Sequence, residues 1–518
     1  MKKSIISILL VLTMVLSLTA CGSNQQTSFD SDNNGYEDTV YLGMHSELDS
    51  ADPYGSASAE CQIATNMTHL MLTYNNSDTG TLDAIAADTW KDVDGDGVNW
   101  QVTLKKGIKF HNGEEMHAED VKFTWEYANS DAGNCIKPLS AATYVESYEV
   151  LDDYSLIFHL KSAMYDFPTY LDTKIYSKKA FDSMEPAKAA LIGSGPYKYD
   201  EALHKSGVQY GFTRFDDYYE GIENYPSLHI VVKYIPEEDA RISALQAKEI
   251  DVVYFTSVSY MSVLDNDENI KTYTRKGAQS YYLGWNWYSD KVNDIRLREA
   301  IGKAINKDDI AAIAFENGLG GAASYNFCVP SGLGYTEVDA LQYNPTEAEA
   351  LLKELGYENG LTLKLVHYAS TKKIAEVIQS NLASVGITVN VEQIDDSNWG
   401  AFKSAHEGFD LFLDYCSYKG ALLYNYNRFF QRNGSSNMTG YYNEEFEQLL
   451  QNVLSANSYD DMLSEFAIMQ QWVANDVSVF PLAVNNMVGA TLNDVEGYVL
   501  ADTTNWMDYS TVKIPVRE

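Results

Sequence analysis

Residues 281–305 constrain this chain more than any other stretch. Tyr281, Leu283, Trp285 and Trp287 fall on one face of a two-residue repeat, with Gly284 and Asn286 on the other, which is the period of a strand. Asn293 or Asp294 then supplies a helix N-cap, and Leu297, Ile301, Ala304 and Ile305 recur at i, i+4, i+7 and i+8, the apolar stripe of an amphipathic helix. A strand this aromatic feeding directly into a helix predicts packed mass on both sides. We expect it to carry the chain from one lobe into another and to line the cleft between them, the alternative being that most of these aromatics are ordinary core. A length of 518 residues agrees, because a single hydrophobic core rarely grows that large and about two or three domains are expected.

Charge narrows the partners. The chain carries 37 Lys and Arg against 73 Asp and Glu, a formal net charge of −36. Such a surface repels phosphate backbones, which argues against nucleic acid. It also repels anionic lipid headgroups, so attachment to a membrane needs an anchor of another kind. The first residues suggest one. Met1-Lys2-Lys3 is followed by a mostly apolar run from Ile5 to Leu18, too short to span a bilayer comfortably. The run ends in Leu18-Thr19-Ala20-Cys21-Gly22-Ser23, which resembles a bacterial lipobox. That resemblance implies a signal peptide over 1–20 and a lipidated Cys21 as first residue of the mature chain. Residues 21–38, rich in Asn, Gln, Ser and Asp, predict a flexible tether. The remaining cysteines, Cys61, Cys135, Cys328 and Cys416, lie far apart with no C-x-x-C, which argues against a thiolate metal site or redox pair and leaves disulfides or buried thiols open.

The usual catalytic signatures are absent: there is no G-x-S-x-G, H-E-x-x-H, P-loop or G-x-G-x-x-G, so an enzyme is not expected. Asp92, Asp94 and Asp96 begin like a calcium loop, but position twelve is Thr103 where an EF-hand needs a bidentate Glu. With Asp-Gly pairs in the run, a hairpin turn is the better reading. His111 and His117, with Glu114, Glu115, Glu119 and Asp120 nearby, form a second weak metal candidate, against the plainer reading of a turn and a solvated helix start. No cofactor is expected.

Further motifs, in order, carry a family resemblance. Trp100, Leu104, Gly107-Ile108-Lys109-Phe110-His111-Asn112-Gly113 and Ala118-Glu119-Asp120-Val121 resemble the signature of the peptide/nickel-type solute-binding proteins of ABC importers. Gly193-Ser194-Gly195-Pro196-Tyr197 is similar to that family's Gly-Thr-Gly-Pro-Tyr turn, and Arg298-Glu299-Ala300 stands where the family has Arg-Gln-Ala. His117 departs from the usual Thr or Ser helix cap.

The resemblance implies an α/β fold of the type II periplasmic-binding (Venus flytrap) kind, with two α/β lobes, an interlobe cleft and an extra α+β domain. Lobe I is expected over 39–62, 190–276 and 488–518, the extra domain over 63–189, and lobe II over 277–487. It further implies a monomeric receptor outside the cytoplasm, lipid-anchored to the bacterial cytoplasmic membrane. Such a receptor would take short peptides and work with a permease and ATPase. An oligosaccharide, a nickel chelate, or a sensor or adhesin role without transport are the alternatives. Relatives hold a peptide amine with an Asp in a Trp-x-x-Asp-Tyr-x-Asp-Pro stretch. Here the sequence reads Asp410-Leu411-Phe412-Leu413-Asp414-Tyr415, and the downstream Asp-Pro is missing. Asp414 is the residue the resemblance puts forward. Trp285, Asn286, Trp287, Trp399, Tyr415 and Tyr418 are the other candidate cleft liners.

Overall fold

In this computed structural model the described residues are 30–76, 78–79, 81–130, 140–254, 257–418, 422–502 and 507–517. Cys21 and the leader lie outside them, as does Cys135. In chain order the strands are β1 (Thr39–Met44), β2 (Thr73–Asn76), β3 (Thr81–Ala84), β4 (Ala87–Asp92), β5 (Asn99–Leu104), β6 (Val145–Asp152) and β7 (Ser155–Leu160). There follow β8 (Tyr197–Tyr199), β9 (Gln209–Arg214), β10 (His229–Tyr234), β11 (Val252–Val253), β12 (Ile270–Trp285), β13 (Gly321–Ala323), β14 (Leu361–His367), β15 (Ile387–Gln393), β16 (Leu411–Ser417) and β17 (Phe480–Leu492).

Two long antiparallel strands, β12 and β17, tie the molecule together. They occupy the middle of one sheet with the order β15-β14-β16-β12-β17-β11-β1-β10-β9-β8, and β13 also pairs with β17. Their register runs from Ile270↔Leu492 to Lys276↔Asn486, breaks, and resumes at Ser280↔Val484. Four steps on β12 therefore face two on β17, so β12 carries surplus residues that bend it locally. Asn485 fills the gap: its Oδ1 accepts from Gln279 N at 3.0 Å, and a Cβ on Gly277 would stand 2.3 Å from the same oxygen. Ala278 is held from both sides, its N–H donating to Asp502 O and its carbonyl accepting from Tyr418 N.

The cores follow this division. On one side of the break, Val40, Leu42, Ile230, Val232, Val252 and Leu492 bury around β1, β10, β11 and the end of β17. On the other, Leu283, Trp285, Leu297, Ile301, Leu363 and Ile378 bury with β14, β15 and β16, and a second aromatic cluster forms around Tyr282, Phe327, Phe412, Tyr426 and Phe446. The antiparallel sheet β4-β5-β7-β6 packs Val102, Leu156 and Phe158 against Val121 and Trp125 of the helix Ala118–Ala128 to make a separate core. The expected strand-to-helix passage is present. Asp294 caps the helix Ile295–Ala304 by accepting from Arg296 N. Among the described residues no helix is long and apolar enough to cross a membrane.

Three expectations need correction. Residues 30–38 belong to the fold. Asp32 pairs with Arg214 at 2.7 Å, Glu37 N donates to Ile514 O at 2.7 Å, and Tyr36 bridges to Pro515. A helix runs over Ala59–Thr68, so the expected domain boundary after residue 62 falls inside it. The weak metal candidates are committed to local structure. Asp92 accepts from Gly95 N and Gly97 N, and Asp94 from Asn99 Nδ2, while Asp96 accepts from Val98 N. The loop is the turn of the antiparallel β4–β5 hairpin. Asp120 accepts from the N–H groups of His117 and Lys178. Among the described residues no three His, Cys, Asp or Glu side chains are placed to share a metal ion.

His111 sits instead in the seam where the segment after β5 meets the Gly193–Gly195 turn. Its Nδ1 accepts from Gly193 N at 3.2 Å, so Nε2 bears the proton and donates to Gly195 O at 3.1 Å. Burial pushes this imidazole down to about 4. An unfolded histidine ordinarily titrates near 6.5. Between those values the unfolded chain binds the extra proton, so stability present above pH 6.5 is lost as pH falls, by roughly 3 kcal/mol once complete. His111→Gln is expected to flatten that slope between pH 7 and pH 5, read as urea unfolding midpoints. His69, held low by burial in the same seam, leaves a residual slope of the same sign.

Candidate functional site

Strands β14 and β16 run parallel, so both release their chains at the same end of lobe II. Open α/β sheets place ligands at such carboxyl ends. Tyr368 follows β14, and Asp414 to Ser417 close β16. The helix Trp399–Ala405 covers the corner, with Trp399 and Lys403 one turn apart on the same face. Tyr368, Trp399, Asp414 to Ser417, Arg428 and Phe429 line a cavity of about 430 Å³, and Lys403 stands behind Asp414.

Its walls are aromatic. Tyr368 lies 5.1 Å from Trp399 and 6.0 Å from Tyr415, ring centre to ring centre, and Tyr415 is 38% exposed. Burial pushes the Tyr368 phenol far up, so it acts as a neutral hydroxyl. The floor is polar. Asp414 is 9% exposed and its oxygens are occupied: Oδ1 accepts from Tyr415 N at 2.9 Å, while Oδ2 accepts from Trp399 Nε1 at 3.2 Å and from Lys403 Nζ. Both partners of the Lys403–Asp414 pair are buried, and the Lys403 ammonium also stands over the rings of Trp399 and Phe412. Arg428 donates to Ser436 Oγ at 2.8 Å and stands 5.7 Å from the centre of the Phe429 ring.

A second cavity, of about 390 Å³, lies on the other side of the register break, lined from residues 66–85, 196–225, 275 and 499–511. Tyr74, Tyr218, Tyr219 and Tyr225 supply its aromatic wall, and Asp78, Glu220, Asp508 and Arg275 its charges. Burial pushes the phenols of Tyr74 and Tyr225 up to about 12. Arg275, on β12, pairs with Asp78 of the extra domain at 2.7 Å. No described residue lines both cavities.

Of the seven residues put forward from the sequence, Asp414, Tyr415 and Trp399 come together in the lobe II cavity. The other four are held elsewhere. Trp285 is 1% exposed, and its indole donates to Val477 O at 2.7 Å. Asn286 donates to the carbonyls of His406 and Phe409. Trp287 packs beneath the Arg298 guanidinium, 4.6 Å away. Tyr418 is buried and donates to Leu333 O. Lys403, Tyr368 and Arg428 were not foreseen. Only Lys403 carried a readable signal, its one-turn spacing from Trp399. Among the described residues Cys61, Cys328 and Cys416 are buried thiols, and burial pushes Cys328 up to about 12.

Residues 82–437, well over half the chain, match the family described as bacterial extracellular solute-binding proteins, family 5 middle. The chain belongs to that family. Family 5 proteins are the solute receptors of ABC importers, and this family 5 chain has the two-lobe type II fold that its motifs suggested. Heme-binding protein A of Haemophilus influenzae is 24% identical over 456 residues, 80% of this chain and 81% of that one. Oligopeptide-binding protein AppA of Bacillus subtilis is 28% identical over 454 residues, 80% of each chain. Among solved structures, HbpA2 of Haemophilus parasuis superposes with a TM-score of 0.81 at 20% identity, covering 92% of this chain and 99% of that one.

Proposed function

We propose that this family 5 protein is a lipid-anchored receptor that captures short peptides between its lobes and hands them to the permease of an ABC importer. The observation that carries the reading is the pair of cavities, similar in volume, flanking the register break that joins the lobes. Each offers aromatic wall and ionised groups of both signs, which suits a zwitterion with side chains of mixed character. Arg275 lines one cavity, and Gln279, four residues on, pairs with Ser417 of the other. At about 3.3 Å per residue that is roughly 13 Å of strand, the reach of about four extended residues. Closing the lobes would expel water and strengthen each polar contact. AppA, an oligopeptide-binding protein by name, adds support. The anchor rests on the lipobox-like Leu18-Thr19-Ala20-Cys21, and a receptor that works by closing suits a monomer.

Calorimetry with a di- to hexapeptide library is the test, backed by native mass spectrometry for retained cargo. Saturable heat from peptides, with quenching of Trp399 in the cavity wall, is the expected result. No heat from any peptide, with clear binding of a sugar, a nickel chelate or hemin, would reject the peptide reading.

A further inference from the structure

The lobe II cavity contains a carboxylate that looks suited to a ligand ammonium, yet it already holds one. Asp414 spends both oxygens on Lys403 Nζ, Trp399 Nε1 and Tyr415 N. Lys403 and Asp414 side chains are only 8% and 12% exposed. An incoming ammonium would gain what Lys403 lost, and would leave Lys403 buried without its counter-charge, a penalty of several kcal/mol for a buried ion. The exchange is therefore unfavourable. Arg428 lines the same cavity. Among the described residues, counting Asp414 and its partner Lys403 together with the lining Arg428 leaves a surplus of positive charge at the site, within a chain of net charge −36.

The other cavity has the opposite sign. Asp78 and Glu220 outnumber Arg275, and Asp508 adds a third carboxyl group. His69, also in its wall, stays neutral because burial holds its imidazole well below the usual histidine range. The two cavities thus form a dipole across the cleft, positive in lobe II and negative beside lobe I.

Resting on the peptide reading, we infer that the lobe II cavity takes the carboxylate end of the ligand, through Arg428, and that the ligand ammonium faces Glu220 in the opposite cavity. Lys403 sets this polarity by occupying Asp414, which makes it a positioning residue for specificity. A ligand with a blocked amino end but an intact carboxylate fits the lobe II cavity as well as an unblocked one.

The experiment uses the full chain in mild detergent and the tightest peptide from the library, in unmodified, N-acetylated and C-amidated forms, with affinities from calorimetry. Amidation is expected to weaken binding about tenfold in the native protein, as expected for a lost charge contact at a partly buried site. In Arg428→Gln the unmodified and amidated forms should bind alike, while any cost of acetylation persists there and shrinks in Glu220→Gln. Lys403→Met, which uncovers Asp414, is expected to raise the cost of acetylation. Because that change strands a buried carboxylate, Lys403→Met combined with Asp414→Asn serves as the uncharged counterpart and should show no such rise. An amidation cost that survives Arg428→Gln, or an acetylation cost that vanishes in Asp414→Asn alone, overturns the inference while leaving peptide binding intact. Failure of every form to bind, alongside binding of a sugar, a nickel chelate or hemin, overturns the peptide reading and this assignment together.

Discussion

Gly193→Ala is expected to destabilise the protein by about 3 kcal/mol, the upper range for forcing an atom into a filled site. The reason is a backbone approach. A Cβ on Gly193 would stand 1.9 Å from the carbonyl oxygen of Thr68 and 2.9 Å from the His69 ring. Neither neighbour can yield easily. Thr68 O accepts from Gly195 N at 2.8 Å, and Gly193 O accepts from His111 N at 2.8 Å, so the three segments are locked at one point of the seam. Gly400→Ala is the matched control. It lies in the helix Trp399–Ala405 with open space around it, and there alanine is expected to be neutral or to stabilise by about 0.5 kcal/mol. Urea unfolding of the two variants side by side decides the matter; similar midpoints would mean the close approach is not a constraint.

The second large effect is expected at Arg298. Its guanidinium is 3% exposed and donates to the carbonyls of Val292 at 3.1 Å, Asn293 at 2.9 Å and Asp476 at 2.9 Å. Those carbonyls belong to the turn before the helix Ile295–Ala304 and to the last residue of the helix Tyr459–Asp476. One side chain thus joins the start of one element to the end of another, with Trp287 stacked against its face. Arg298→Ala strands these acceptors and is expected to cost about 3–5 kcal/mol, the range for breaking a buried charged network. Arg298→Lys should recover only part, because a single ammonium cannot fork to three directions. A midpoint within experimental scatter of the native protein for Arg298→Ala would refute this account.

Much of the fold was legible because its signals are local. The Tyr281–Trp285 end of the long strand and the Asp294-capped helix after it each announce themselves through period and cap, as does the helix Pro345–Glu354, with Asn344 before it and Gly356 after it. The helix Ala59–Thr68 did not. It buries Glu60, Gln62 and Thr65 alongside Ile63 and Met67, and polar burial of that kind erases the apolar stripe. It is satisfied at long range, as where Lys174 donates to Gln62 O and Thr65 Oγ1, which no window of sequence can show.

The site was less legible than the fold for a related reason. Trp285 and Trp399 look alike as aromatics in an acidic chain. What separates them is that Trp285 finds Val477 O in a filled core while Trp399 finds Asp414 at a cavity wall. That Asp414 is spoken for by Lys403 follows from helix geometry one turn beyond Trp399, and is visible only once strand and helix are brought side by side.

The surplus residues of β12 between Lys276 and Ser280 have a mechanical consequence. Bending at this point would let the two halves approach each other while the layers of side chain on either side keep their packing. Work done by a captured guest then goes into rotating two stiff bodies. A substitution deep inside either body should alter how long the protein survives heating, yet leave the swing between open and shut forms nearly untouched.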